Sequence, residues 1–285
     1  MKNVLAISGG VDSVVLLDMV AREEVTGLNL QDCVVAHFDH GIRAESGGDA
    51  EFVRHLAEKY GLEFFVKRAN LGKNASEELA RSKRYEFLRA VAAGGKIITA
   101  HHQDDLIETV LINLIRGTGW RGLAPFWSDD VLRPLLDKSK AEIVAYAIKN
   151  NLKWVEDQTN YQPKYLRNRV RDIVTRLTGQ QRQRLVNLYK KQVKLRAEIE
   201  QILIDNNNYY HLANSEQLST NQLAKLPENV ALEILRKTTH EKLTMPQLKR
   251  LLKTLKTAKS GDLIQPGGGL RAGIYKGQIT VSSLV

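Results

Sequence analysis

Short apolar segments recur about every thirty residues over the first 116 positions, and this spacing constrains the fold more than any other feature. They lie at 4–8, 33–39, 64–68 and 96–100. Segments with helical periodicity separate them, at 11–22, 48–60, 76–93 and 104–116. Strands that alternate with helices of this length predict parallel strand–helix–strand units. The expected fold class is therefore α/β, with a doubly wound, Rossmann-like parallel sheet.

The sequence pattern after Gly117 no longer predicts alternating strands and helices. A Gly-, Trp- and Pro-rich connection after Gly117 leads to a helix at 138–150, and a long basic helix follows at 180–206. The carboxyl-terminal part predicts helices at 224–239 and 244–258 and a glycine-rich hairpin. The expected domains are a catalytic α/β domain at 1–180, a basic helical linker (a stalk) at 181–207 and a small α+β domain at 208–285.

The positive charge is concentrated in two segments. The chain carries 42 Lys and Arg against 32 Asp and Glu, a formal net charge of +10. Eleven basic and three acidic residues fall within 163–200, and eight basic residues and one acidic residue fall within 236–259. Clustered cations favour a polyanionic partner, because phosphate contacts release counterions. Solvated helix faces explain the same runs equally well.

Several classes of protein are excluded by composition. One cysteine in 285 residues excludes a disulfide framework and a Cys-pair zinc or iron–sulfur site within one chain. No apolar run reaches the roughly 20 residues of a membrane-spanning helix. The amino terminus lacks the layout of a signal peptide, so a cytoplasmic location without membrane attachment is expected.

A glycine turn follows the first predicted strand and opens a helix. Its residues are Ser8, Gly9, Gly10, Val11, Asp12 and Ser13. Glycines allow close approach of the backbone to a ligand, and free N–H groups at a helix start attract anions. Neither the Walker A pattern nor G-x-G-x-x-G is present. A capped glycine turn without a ligand is the alternative, but the position after the first strand favours phosphate binding.

Charged residues also follow the fourth predicted strand. If the helix begins at His101, then His101, Asp105 and Glu108 share one face at about 100° per residue. Acids at a helix start complement the helix dipole, but this group of acids exceeds that need. Asp104, Asp105 and Glu108 suit Mg²⁺ on a nucleotide or the cation of an amine substrate. Arg81, on the preceding helix, suits a phosphate or an exposed ion pair.

The segment SGGVDS resembles the PP-loop of the N-type ATP pyrophosphatases, which cleave ATP between its α and β phosphates. Further motifs follow in order: HFDHGIR, ARSKRYEFL, AHHQDDLIETVLINLIRGTGWRGLAPF, RPLL and EDQTNYQPKYLRNRVR. The whole series, over about residues 4–175, is similar to the bacterial tRNA(Ile)-lysidine synthetase family. The chain ends after one small domain, so the resemblance implies a short form of that family.

The resemblance implies an ATP-dependent ligase that acts in two steps. Cytidine 34 in the CAU anticodon of tRNA(Ile) is adenylated at C2 with loss of pyrophosphate, and free L-lysine then displaces AMP to give lysidine. ATP and Mg²⁺ are the implied cofactors, and the carboxyl-terminal domain is implied to bind tRNA. Two alternatives stay open: another PP-loop enzyme that adenylates a different tRNA or a small molecule, and a catalytically silent RNA-binding relative. The presence of Asp12, Asp104, Asp105 and Glu108 disfavours the silent relative. Pairing of two subunits in a homodimer also stays open.

The resemblance also implies roles for individual residues. The implied ATP-binding residues are Ser8, Gly9, Gly10, Val11, Asp12, Ser13, His37 and Asp39. The implied catalytic residues are Asp12, Arg81, His101, Asp105, Glu108 and Arg171. The implied residues for lysine or cytidine are Asp104, Asp105, Glu108, Arg116, Gly117 and Arg167. Asp12 is also the candidate ligand of Mg²⁺; a metal site made by the HFDH segment itself is disfavoured, since strand residues alternate between two faces.

Overall fold

A computed structural model describes residues 2–39, 46–69, 76–155, 166–205 and 217–283 of the chain. These residues form two compact units, Met1–Gln192 and Val193–Val285. The division between the units falls inside one long helix. The role of 181–207 as a linker between domains, and the three expected boundaries, stay predictions.

The first unit contains a five-stranded parallel sheet in the order β3-β2-β1-β4-β5. Its strands are β1 (Asn3–Ala6), β2 (Cys33–Asp39), β3 (Phe64–Arg68), β4 (Ile97–Ile98) and β5 (Val131–Leu132). The order reverses between β1 and β4, which confirms the predicted doubly wound α/β fold. The two-residue strand β5 was not expected, since it is too short to give a periodic pattern.

Seven helices described in this part of the chain accompany the sheet. They are α1 (Val11–Ala21), α2 (Ser46–Lys59), α3 (Glu77–Ala92), α4 (Gln103–Ile115), α5 (Lys140–Lys149), α6 (Leu166–Arg176) and α7 (Gly179–Asp205). Side-chain caps fix two of the starts. Ser76 accepts a hydrogen bond from Leu79 N–H ahead of α3, and Ser139 with Glu142 forms a capping box ahead of α5.

Alternate residues of the strands face two separate cores. Leu5 and Val35 lie in a cluster with α1, α2 and α5 on one face of the sheet. Val4 and Val34 lie in a second cluster with Leu88 of α3 on the other face. Because both faces are covered, the strands read as nearly continuous apolar runs in the sequence.

A buried carboxylate ties α1 to its neighbours. Asp18, 3% exposed, accepts hydrogen bonds from the hydroxyl groups of Tyr60 at 2.7 Å and Tyr146 at 3.0 Å, and pairs with Arg22 Nε at 2.7 Å. Burial, together with the charge of Asp18, raises the pKa of both tyrosines. The tyrosines therefore remain neutral donors to Asp18 at physiological pH.

The second unit is an α+β domain, as expected. Its elements are β6 (Gln217–Ser219), α8 (Thr220–Lys225), α9 (Glu228–Thr238), α10 (Met245–Leu255), β7 (Leu263–Gly267), β8 (Leu270–Tyr275) and β9 (Gln278–Ser283). The strands form an antiparallel sheet in the order β6-β9-β8-β7. The helix predicted at 224–239 is confirmed as α9, but it begins four residues later than expected. Pro227 is the N-cap of α9 and has no N–H to continue a preceding helix, so α8 ends before it.

Among the residues that the structure describes, no helix is both long and apolar enough to cross a membrane.

Candidate active site

The carboxyl ends of β1 and β4 meet where the strand order reverses. The two strands pair through Val4 with Ile97 and Leu5 with Ile98. The loop at 8–13 leaves β1 at this edge, and residues 99–102 leave β4 beside it. In open α/β sheets, ligands bind in the crevice outside this switch point. The motifs from two distant parts of the sequence therefore share one edge of the sheet.

The hydroxyl group of Ser13 holds the loop at 8–13 in shape. Its oxygen accepts hydrogen bonds from the N–H groups of Ser8 at 3.2 Å and Gly9 at 3.1 Å, and it donates to Gly10 O at 2.8 Å. Gly9 has φ +93°, where a side chain would strain the backbone. The loop is therefore pre-organised, and Ser13 fixes its shape.

Asp12, in the first turn of α1, lies in a cluster of charged residues. Lys140 Nζ, at the start of α5, is 2.5 Å from Asp12 Oδ1. His102 Nε2 is 3.8 Å from Asp12 Oδ2 and 3.5 Å from Asp105 Oδ2. The structure therefore brings Asp12 and Asp105 together around His102. Sequence reasoning missed Lys140; the S-x-x-E capping box at 139–142 is the local signal that places it at a helix start.

The prediction that His101, Asp105 and Glu108 share one face of a helix is wrong for His101. The helix α4 begins at Gln103 with His102 as its N-cap, so His101 lies in the segment before it. Asp105 accepts a hydrogen bond from His102 N–H at 3.0 Å and so completes the cap. Asp104 pairs with Arg182 of α7 at 2.9 Å.

Glu108 is a buried carboxylate with two arginine neighbours. Its side chain is 4% exposed, and it lies 3.1 Å from Arg171 Nε and 3.6 Å from Arg167 Nε. Both arginines belong to α6, so packing of α6 against α4 brings three predicted site residues together. A buried charge needs such partners, and removing one partner leaves the carboxylate uncompensated.

His101 is a neutral group at physiological pH. Burial, with a smaller contribution from the nearby guanidinium groups of Arg133 and Arg81, lowers the pKa of His101 to about 3. Its Nδ1 lies 2.8 Å from Thr99 Oγ1, and its ring packs against Phe126 with centroids 5.2 Å apart. Arg81, on α3, lies over the ring of Tyr85 at 4.9 Å. Arg81 is thus close enough to affect His101.

The geometry does not bring Arg116 and Gly117 to this group. They follow the carboxyl end of α4, about 16 Å along the helix from Asp105 at 1.5 Å per residue. Both are exposed. Gly117 has φ +64°, which suits the end of a helix. Their role in a shared substrate site stays a prediction.

His37 and Asp39 are both buried on β2. His37 Nδ1 lies 2.9 Å from the carbonyl oxygen of Ile7, the residue that follows the neighbouring strand β1. Asp39 Oδ2 lies 3.3 Å from Arg68 Nε on β3. These contacts hold the edge of the sheet beside the loop at 8–13. The rest of the HFDHGIR motif after Asp39, and 156–165 of the EDQTN motif, lie outside the described residues.

The family model for the PP-loop domain matches residues 1–178. The chain therefore belongs to this family of ATP-binding domains, in agreement with the SGGVDS loop at the switch point. Part of the chain is 40% identical over 179 residues to the tRNA(Ile)-lysidine synthase of Thermosipho africanus, covering 59% of this chain and 41% of that protein. The tRNA(Ile)-lysidine synthase of Solibacter usitatus is 40% identical over 174 residues, covering 59% and 38%.

The chain thus spans about two fifths of the length of these curated relatives. The U34-tRNA thiolase NcsA of Methanococcus maripaludis has a similar fold, with a TM-score of 0.57 and 19% identity. That likeness covers 68% of this chain and 72% of NcsA. At this level of identity, the likeness concerns the fold alone.

Proposed function

We propose that the chain is a tRNA(Ile)-lysidine synthetase, which joins free L-lysine to C2 of cytidine 34 in the CAU anticodon of tRNA(Ile). The identity of about 40% to curated lysidine synthases supports this function. One geometric observation carries it. His102 lies between Asp12 of the phosphate loop and Asp105 of α4, so a nucleotide site and a site for a cation adjoin each other.

The loop at 8–13 is proposed to bind the phosphates of ATP. Its N–H groups and the start of α1 favour an anion there. Lys140, whose ammonium group lies 2.5 Å from Asp12 Oδ1, adds a positive charge beside the loop. His37 and Asp39 fix the neighbouring strand edge, where the adenosine is proposed to lie.

Mg²⁺ is proposed to enter with ATP. Within the described ranges, no three His, Cys, Asp or Glu side chains are arranged to hold a metal ion. Mg²⁺ in nucleotide sites needs only one or two carboxylates besides the phosphates, and Asp12 fits this requirement. Bound there, the ion would neutralise charge on the phosphates. The proposed ligand of the ion from the chain is the carboxylate of Asp12, which pairs with Lys140 in this structure.

The carboxylates of α4 are proposed to receive the lysine. The first step joins the C2 oxygen of cytidine to the α phosphate and releases pyrophosphate. In the second step the ε-amine of lysine attacks C2, AMP leaves, and the amine loses a proton. Asp105 is proposed as the acceptor of that proton. Glu108, Arg167 and Arg171 are proposed as the group of paired charges that positions the substrates.

His101 is proposed to act by hydrogen bonding. A group with a pKa of about 3 is neutral at physiological pH, so it cannot donate a proton as an imidazolium. It is also too weak a base to hold the proton released by lysine. Its role is to shape the site between Phe126 and the start of α4.

Thiolation of tRNA with an iron–sulfur cluster is not supported as the function of this chain, although NcsA shares the fold. A [4Fe–4S] cluster takes cysteine ligands, and this chain has one cysteine. That residue, Cys33, is buried in β2, and burial raises the pKa of its thiol to about 11. Pairing of two copies of the chain stays a prediction.

The test is to incubate the purified chain with ATP, Mg²⁺, free lysine and tRNA(Ile) bearing the CAU anticodon. Lysidine in the digested tRNA, detected by mass spectrometry, is the expected result, and tRNA(Met) is the control that should stay unmodified. Release of pyrophosphate with a different acceptor and no lysidine would instead support another PP-loop adenylating enzyme. Asp105→Asn and Arg81→Ala should each lower kcat by about 10²-fold or more, with folding checked by circular dichroism.

A further inference from the structure

We propose that a cavity between α3 and the segment 125–133 binds an unpaired nucleotide of the RNA substrate, next to the nucleotide that reacts. This inference rests on the proposed function, which supplies the RNA. The cavity has a volume of about 350 Å³, and ligand pockets begin at about 300 Å³. The lining residues that carry the argument are Arg81, Ser82, Tyr85, Arg89, Trp127 and Arg133.

The lining of the cavity is positively charged. Three arginines line it, against one acid, Glu78. Arg89 pairs with Asp130 at 2.7 Å. The guanidinium group of Arg81 lies over the Tyr85 ring, 4.9 Å from its centroid, in the lining of the cavity. An anionic ligand is therefore favoured.

Two buried polar groups in the lining, the Tyr85 hydroxyl group and Arg133 Nε, form no hydrogen bond of good geometry within the described residues. Tyr85 is 7% exposed, and its hydroxyl group interacts with the side chain of Arg133. Arg133 donates through Nη1 to Phe126 O at 2.9 Å, whereas its buried Nε is only weakly satisfied by the neighbouring Tyr85. Each such group costs about 1–3 kcal/mol when left unsatisfied. A phosphate oxygen that enters the cavity would accept from both residues.

RNA fits this lining better than free lysine does. Free lysine carries two ammonium groups and one carboxylate, so its net charge is positive and three arginines disfavour it on balance. An unpaired nucleotide offers a phosphate for the arginines and a base to stack on Trp127, the usual way in which proteins bind single-stranded RNA. The cavity also adjoins the candidate active site, because Arg133 and Arg81 are near enough to His101 to lower its pKa. A nucleotide here would therefore neighbour the reacting cytidine.

The first experiment measures binding of a fluorescent CAU anticodon stem-loop to the full chain by anisotropy. Ser82 is exposed on α3 and lines the cavity, so Ser82→Glu adds a negative charge without removing packing. Ser82→Glu should weaken binding at least tenfold, whereas the neutral Ser82→Gln should bind within twofold of wild type. Arg54→Ala is a second control, for the loss of an arginine outside the cavity. Arg54 stacks on the ring of Phe64, as Arg81 stacks on that of Tyr85, so Arg54→Ala should bind like wild type.

The second experiment locates the nucleotide. Stem-loops that lack the base on one side or the other of the reacting cytidine are compared on wild type and on Trp127→Ala. One missing base should weaken binding to wild type about fivefold or more, the range of base–aromatic stacking, and should have no further effect on Trp127→Ala. Wild-type RNA binding by Ser82→Glu and Trp127→Ala, in a chain that forms lysidine, would overturn the cavity proposal alone. Absence of both stem-loop binding and lysidine in wild type would overturn this proposal together with the proposed function.

Discussion

Single side chains decide the shape and charge of the candidate site. The hydroxyl group of Ser13 is occupied by hydrogen bonds within the loop at 8–13. The ligand-binding groups of that loop are therefore mainly backbone N–H groups. Lys140 supplies a cation from a position 128 residues away from Asp12. A pre-organised loop at a helix start and a nearby cation both favour phosphate binding.

Removal of the Lys140 ammonium group tests this cation. Lys140→Met should weaken ATP binding about tenfold or more, because a charge at the loop is lost and Asp12 is left to repel the phosphates. Isothermal titration with ATP and Mg²⁺ measures the effect. Lys149→Met, at the other end of α5, should bind ATP like wild type. Equal affinity of both variants would contradict a role for Lys140 in ATP binding.

The lowered pKa of His101 predicts a pH dependence of stability. The pKa is about 3 in the folded chain and about 6.5 in the unfolded chain, so the unfolded state binds more protons between these values. The free energy of unfolding should therefore fall as the pH drops from about 6.5 towards 3, by up to about 1.4 kcal/mol per pH unit from this residue.

Urea unfolding of wild type and His101→Gln at several pH values between 7.5 and 4.5 measures this contribution. The loss of stability on acidification should be shallower in His101→Gln. His55→Gln changes an exposed histidine and should follow wild type. An equal slope for His101→Gln and wild type would show that His101 is protonated as readily in the folded chain as in the unfolded chain.

At the scale of elements, a few buried polar contacts fix how helices pack around the site. Asp18 joins α1 to Tyr60, after α2, and to Tyr146 on α5. The helix α1 carries Asp12 and α5 carries Lys140, so the same contact network orients the two helices whose side chains meet at the loop.

Loss of either tyrosine hydroxyl group should weaken this packing. Tyr60→Phe and Tyr146→Phe should each lower the free energy of unfolding by about 1–3 kcal/mol, because a buried charged acceptor loses a donor. The double variant should depart from additivity, since both hydroxyl groups bind one carboxylate. Denaturant unfolding measures the effects, and Tyr275→Phe, an exposed position, should be neutral. Neutral Tyr60→Phe would contradict the proposed network.

At the scale of the whole molecule, the positive charge suits an extended RNA. The helix α10 of the second unit buries Leu248, Leu251, Leu252 and Leu255 and exposes its basic residues. Such a face is an ordinary solvated helix surface unless RNA lies on it, and salt dependence distinguishes the two.

Neutralisation of this face should change the salt dependence of tRNA binding. Replacing Lys249 and Lys253 of α10, and Lys256 directly after it, with Gln should reduce the slope of log K against log salt by about 2 to 3, at roughly 0.7–0.9 per phosphate contact. Filter binding at several salt concentrations measures the slope. A control that neutralises Lys2, Lys59 and Lys149 of the first unit should keep the wild-type slope; an unchanged slope in the first variant would show that α10 is only a solvated surface.

Much of the fold could be predicted because its causes are local. The strands at 33–39 and 64–68 were predicted with the bounds that the structure gives, and α1 to α4 begin and end within two residues of the predicted helices. Apolar periodicity and glycine turns depend on residues that are close in the sequence, so they can be recognised from the sequence alone. Where a local rule was overlooked, as with Pro227, the start of the helix predicted at 224–239 was placed four residues too early.

The sequence by itself determined the α/β class, the PP-loop and the chemical types gathered near it. Only the tertiary structure decided which of these groups touch: Lys140 with Asp12, Arg171 with Glu108, and Arg182 with Asp104. It also decided that His101 precedes α4 and is kept neutral by burial. The physical reason is that such contacts depend on strand order, helix packing and desolvation, which join residues far apart in the chain, whereas local periodicity specifies only the elements.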